Sequence, residues 1–113
     1  VTIHSIKAAK IAKLNDLART AMGVASRLIQ TQGICALSPE LQSRIREQVE
    51  TFNTFTPGND PYGERDMGFF EIEGNRVMWK IDYYDRAVQY GSEDPSDPAQ
   101  TTRVLTIMLA QEY

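Results

Sequence analysis

The sequence predicts an α+β domain in which a two- to three-stranded antiparallel sheet, with room for one short extra strand, packs against about three helices. Three observations predict it. "GFFEIEGNRVMWKIDYYD" alternates apolar and polar residues on both sides of a tight-turn signal. Leu41, Ile45, Val49 and Phe52 make an apolar helical stripe behind a Ser38-Pro39 start. At 113 residues, 42% of them hydrophobic, the chain can bury one core as a single domain over residues 1–113.

Taken in order, "KAAKIAKLNDLARTAMG" puts Ile11, Leu14, Ala18, Ala21 and Met22 at helical spacing, with Leu17 widening the stripe. Gly23 follows where a left-handed cap is wanted, and Lys7, Lys10 and Lys13 stay on the solvent side. "SRLIQTQ" reads as a short strand. The second helix opens at Ser38, has Glu40 near its positive dipole end, and stops near Asn53.

In the hairpin, a Gly74-Asn75 turn sets Ile72 against Val77 and Phe70 against Trp79 on an apolar face. It sets Glu73 against Arg76, Glu71 against Met78 and Phe69 against Lys80 on the other. "YDRAVQYG" extends the sheet by a third strand through a bend at Asp85-Arg86, pairing Tyr83 with Val88 and Ile81 with Tyr90. "GSEDPSDPAQ" is an exposed loop. Asp97, Pro98 and Gln100 look like the capped start of a last helix, apolar at Val104, Leu105, Ile107, Met108 and Leu109.

The charge is uneven. Val1 to Arg46 carries a formal +5 and the remainder a formal −8, within a net −3. Such polarity suits docking onto a charged partner. The acidic balance speaks against nucleic-acid binding by the domain as a whole. The single cysteine, Cys35, lies in the apolar run "GICAL" and reads as a small buried residue; it leaves no internal disulfide. The N-terminal lysines interrupt any signal-peptide core, no stretch reaches the length of a membrane span, and a reducing cytoplasm is the expected compartment.

"NDPYGERDMG" packs three acids, a tyrosine and an arginine between turn-formers. Asp60, Glu64 and Asp66 can supply oxygen ligands to a divalent cation, but the spacing is not that of a calcium loop. The simpler reading is a shaped connector whose Asn and Asp side chains bond their own turn backbone, with Arg65 paired to an adjacent acid. On the mixed sheet face, Glu71, Glu73, Lys80, Asp82 and Tyr84 make an exposed charge ladder without the Glu-x-Lys spacing of a nuclease. Glu93 and Asp94 form a second acidic loop. Trp79 and Tyr83 point coreward, leaving Tyr62, Tyr84 and Tyr113 for a partner. With His4 as the one histidine, at a fraying start, a catalytic triad or zinc site is not expected, nor is any cofactor.

"NDPYGERDMGFFEIEG", "WKIDYYD", "GSEDPSDP" and "TTRVLTIMLAQEY" resemble a bacterial domain-of-unknown-function family, mostly alphaproteobacterial and often carried on plasmids and integrated elements. The likeness runs from about Ile11 to Tyr113. That family usually has histidine where this chain has Arg65, which counts against a metal or acid–base role at that position. The resemblance implies a mobile-element setting. Its functional expectation is a non-enzymatic inhibitor of a nucleic-acid-targeting defence complex, of anti-CRISPR or antirestriction type, acting through an acidic surface. The partner-binding candidates are Asp60, Tyr62, Glu64, Arg65, Asp66, Glu71, Glu73, Asp82, Tyr84, Glu93 and Asp94. The alternatives are a metal-dependent module on Asp60, Glu64 and Asp66, and a homodimer formed through the last helix.

Overall fold

Aromatic and β-branched side chains between Met67 and Tyr84 fold back on one another through two residues, Glu73 and Gly74. Both have positive φ, 48° and 79°, the backbone of a type I′ turn. In the computed structural model, which describes residues 2–113, this hairpin is β2 (Met67–Ile72) and β3 (Asn75–Tyr84). Before it come α1 (Ile3–Thr20), β1 (Arg27–Gln30), α2 (Gln32–Cys35) and α3 (Pro39–Thr51). After it come β4 (Thr102–Leu109) and a 3-10 turn, Ala110–Glu112. The class is α+β, with three helices on a four-stranded mixed sheet of order β1-β4-β3-β2.

The turn differs from the Gly74-Asn75 expectation. Ile72 pairs with Asn75, Phe70 with Val77, Gly68 with Trp79, Glu71 with Arg76, Phe69 with Met78 and Met67 with Lys80. The register is moved by two residues, so every side chain keeps its expected face. Asn75 closes the turn from outside, its side-chain amide donating to the carbonyls of Ile72 and Glu73.

The sheet's composition differs more. No strand follows Asp85: Val88 has φ 56°, Tyr90 is exposed, and only an isolated bridge joins Tyr84 to Gly91. The expected last helix is instead β4, the central strand, antiparallel to β3 and parallel to β1. The capping chemistry at Asp97 is real: its carboxylate accepts from Ala99 N and Gln100 Nε2. It completes one turn, however, and the chain then extends. Val104, Leu105, Ile107 and Met108 are all buried, and β4 lies between β1 and β3 as an inner strand of the sheet. A continuous apolar run of that kind fits a wide helical face equally well.

The helices cover one face. Ala18, Ile34, Ile45 and Val49 pack on Val77, Trp79, Ile81, Leu105 and Ile107. α1 begins earlier than expected, capped by Thr2, whose hydroxyl accepts from Ser5 N, so His4 lies in its first turn. α3 follows the sequence closely, with Ser38 Oγ accepting from Leu41 N and the helix ending at Thr51. α2 was not foreseen. It brings Cys35 to the surface rather than the core, with Ile34 as the buried member of the pair. The carboxylate of Glu112 ties the chain end to α2, accepting from Thr31 Oγ1, Gly33 N and Leu109 N.

Gly68 lets Phe52 and Trp79 meet edge-on at 5.6 Å. A Cβ at this position would lie 2.5 Å from Trp79 Nε1 and 2.8 Å from the Phe52 ring. Gly68→Ala is therefore expected to cost about 1–3 kcal/mol of stability, read as a lower urea midpoint. An unchanged midpoint would mean that the aromatic pair yields freely.

Candidate functional site

The Asn59–Gly68 segment is organised by its own polar side chains. Asn59 Oδ1 accepts from Thr56 N and its amide donates to Thr54 O. Asp60 Oδ1 accepts from Arg65 N at 3.0 Å, and Gly63 N returns to Asp60 O at 3.1 Å. These bonds close a tight loop with Gly63 at φ 70° and Arg65 at φ 54°. Tyr62 stands at its tip, 80% exposed.

The loop's second half is tied inward. Glu64 Oε1 accepts from Tyr83 Oη at 2.9 Å, and the Glu64 carbonyl accepts from Asn15 Nδ2 at 3.0 Å. Asn15 Nδ2 also donates to Tyr83 Oη at 2.8 Å, while Asn15 Oδ1 accepts from Arg103 Nε at 2.8 Å. Asn15 is fully buried, and these bonds use both amide hydrogens and the oxygen. Burial pushes the Tyr83 phenol well up, reinforced by the Glu64 and Asp66 carboxylates and opposed by the Asn15 hydrogen bond. It remains a neutral donor.

A second knot lies one helical turn on. Asp16 takes Arg19 Nη2 on one oxygen and Arg65 Nη2 on the other, each at 2.9 Å. Arg19 Nη1 donates to the carbonyls of Val49 and Phe52, closing the C-terminus of α3, and its guanidinium lies 4.9 Å from the Trp79 ring centre. Burial lowers the Arg19 pKa, and the Asp16 hydrogen bond works against that.

The other candidates are placed as follows. Ile81 N donates to the Asp66 carbonyl. The Asp66 carboxyl is pushed up, first by burial and then by Glu64, Asp60 and Asp82, against a hydrogen bond from its own backbone. Asp60, Glu64, Asp66 and Asp82 thus share one neighbourhood. Among the described residues no group of three or more acid, histidine or cysteine side chains is arranged to hold a metal ion. Asp82 pairs with Lys80. Glu73 pairs with Arg44 at 2.6 Å, and Glu71 lies 3.8 Å from Arg76. Tyr84 is half-buried and Glu93 exposed. Asp94 accepts from Ser96 Oγ and N, which hold its carboxyl below the usual range. Tyr113 is exposed, as expected.

Sequence reasoning missed Asn15, Arg19 and Arg103. The signal was two polar residues at i and i+4, Asn15 and Arg19, on the buried face that runs from Ile11 to Arg19. Arg103 was hidden by the helical reading of its segment.

This is an α+β protein in which a buried polar constellation joins α1, the Asn59–Gly68 loop and the sheet. Residues 30–112 match the family model described as a protein of unknown function, DUF3768, and the chain belongs to that family. The match begins later than the resemblance from Ile11 implied, so Asn15, Asp16 and Arg19 lie before it while Glu64, Arg65, Tyr83 and Arg103 lie within it. No curated protein and no solved structure matches the chain.

Two outcomes are expected. Asn15→Ala strands Arg103 Nε, the Tyr83 hydroxyl and the Glu64 carbonyl, and should cost about 2–3 kcal/mol in urea unfolding; a loss below about 0.5 kcal/mol would mean that water takes over these bonds. Asp66 binds its proton more readily in the folded chain than in the unfolded one. Stability therefore falls as pH rises from the unfolded carboxyl value, about 3.9, through the raised folded value. Asp66→Asn should stabilise at pH 7 and make no difference once both states are protonated. A destabilised variant at pH 7 would contradict this.

Proposed function

We propose that the protein is a small non-enzymatic interaction protein of a bacterial mobile element, working in the cytoplasm as an inhibitor of a nucleic-acid-targeting defence complex through an acidic face. The observation that carries this reading is Tyr62, an aromatic side chain held out at a loop tip between Asp60 and Glu64, on a loop whose Asp66 feels the charges of Glu64, Asp60 and Asp82. Carboxylates around an exposed tyrosine suit a basic cleft of the kind that holds nucleic-acid phosphates, with the ring as anchor and the acids steering the approach.

Rigidity strengthens the case. The loop is fixed by Asp60, by Glu64 to Tyr83 and by Arg65 to Asp16, so little conformational freedom is lost when a partner docks. Glu71 and Glu73 lie beside Arg76 and Arg44 in exposed ion pairs. Glu93, Asp94 and the half-buried Tyr84 are secondary contacts in this reading.

The test is a nuclease-treated capture from a host with intact defence systems, followed by titration of the recovered complex and an assay of its cleavage activity. Tyr62→Ala combined with Asp60→Lys is expected to weaken binding about 10- to 100-fold and to relieve inhibition equally. Undiminished binding by this folded variant would defeat the reading. A magnesium- or manganese-dependent rise in melting temperature that Asp60→Ala abolishes would favour the ion-binding alternative instead.

A further inference from the structure

The sheet ends on two unlike edges. β1 is four residues long, and its Gln30 carbonyl already accepts from Cys35 Sγ at 3.6 Å. β2 is six residues long. Ile81 N donates to the Asp66 carbonyl, so the antiparallel ladder turns the backbone groups of Gly68, Phe70 and Ile72 to β3. Those of Met67, Phe69 and Glu71 point away from the sheet, and none has a hydrogen-bond partner among the described residues. A strand edge is ordinarily guarded by lysine, proline or a bulge. "MGFFEI" has neither lysine nor proline, and its register with β3 runs unbroken from Met67 to Ile72. Its one charge, Glu71, lies 3.8 Å from Arg76.

The side chains point the same way. On the face turned away from the helices, the register sets Met108 of β4 beside Met78 of β3, and Met78 beside Phe69 of β2. Met78 and Met108 are buried, whereas Phe69 is 47% exposed. An apolar row thus crosses the sheet and ends on an aromatic ring at its open edge, where a neighbouring strand would continue it. Polar residues flank the row, Arg76 and Glu71 on one side and Lys80 and Thr106 on the other.

We infer that the β2 edge is the seam of a homodimer, in which two copies pair their β2 strands antiparallel, about a two-fold axis at Phe69, into one continuous sheet. The strand is complementary to itself in this register. Phe69 lies against Phe69 of the second copy, so the apolar row runs unbroken through both molecules. Glu71 of each copy falls opposite Met67 of the other, whose neighbour on β3 is Lys80, and no like charges face each other across the seam. On the helix side, Phe70 of each copy falls opposite Gly68 of the other, a large side chain against none. The outward N–H and C=O groups of Met67, Phe69 and Glu71 all gain partners. A strongly charged partner has little to hold here, because Arg76 already meets the one acid of the strand. The seam lies outside the Tyr62 tip and stands whether or not that loop binds a partner.

The experiment combines sedimentation velocity with amide hydrogen exchange by NMR on the whole ¹⁵N-labelled chain, at concentrations up to about 1 mM. A monomer–dimer equilibrium is expected. The amides of Met67, Phe69 and Glu71 should become protected as the dimer fills, while those of Gly68, Phe70 and Ile72 are protected throughout. Phe69→Lys puts a charge at an exposed edge position and is expected to weaken dimerisation at least about tenfold. Glu71→Pro removes one outward N–H without touching the β2–β3 ladder and should act in the same direction. The dispersed amide spectrum reports that a variant is folded, and either folded variant serves. A chain that stays monomeric throughout, association that a folded variant leaves unweakened, or a dimer whose Met67, Phe69 and Glu71 amides exchange as fast as in the monomer would overturn the seam.

Discussion

The guanidinium of Arg19 sits where α1, the end of α3 and the aromatic centre of the sheet converge, and the packing of all three depends on it. It closes α3 by bonding two of its last carbonyls, lies against Trp79 and Phe55, and reaches Asp16 at the rim. A cation this buried needs an anion at hand and its donors paired; Nη1 and Nη2 are hydrogen-bonded, while Nε has no hydrogen-bond partner among the described residues. Asp16 is partly in water, so the pair avoids desolvating both charges fully. Asp16 then extends the same knot to Arg65, which makes the position of the Asn59–Gly68 loop a consequence of how α1 is seated.

That dependence changes the meaning of the loop. Its acids are not interchangeable surface charges. Asp60 shapes the turn, Glu64 satisfies a buried phenol, and Asp66 stays where its charge is disfavoured. Tyr62 alone has no internal duty. A loop that spends its polar groups on its own geometry, and leaves one aromatic ring outside, is built to present that ring in a fixed direction.

Local signals were legible in the sequence, and long-range ones were not. Ser38-Pro39 and the α3 stripe announced a helix because cap and period act within one segment. The hairpin faces were readable because alternation survives a two-residue register change. β4 was not, since its apolar run takes its meaning from strands on both sides, one of them 77 positions away, where Arg27 pairs with Val104. The polar constellation failed for the same reason. Asn15, Glu64 and Arg103 look like ordinary surface residues until the fold brings them together around Tyr83. Cys35 shows the limit of neighbourhood arguments: an apolar run became a short helical turn, and its rotation exposed the sulfur.

The parallel pairing of β1 with β4 carries a kinetic consequence. The β2–β3–β4 portion is assembled from antiparallel neighbours in sequence order, whereas β1 joins the sheet only after a loop of most of the chain has closed. Closing a loop of that length costs entropy before its contacts offset it, and the four-residue strand β1 makes the longest-range pairing in the sheet.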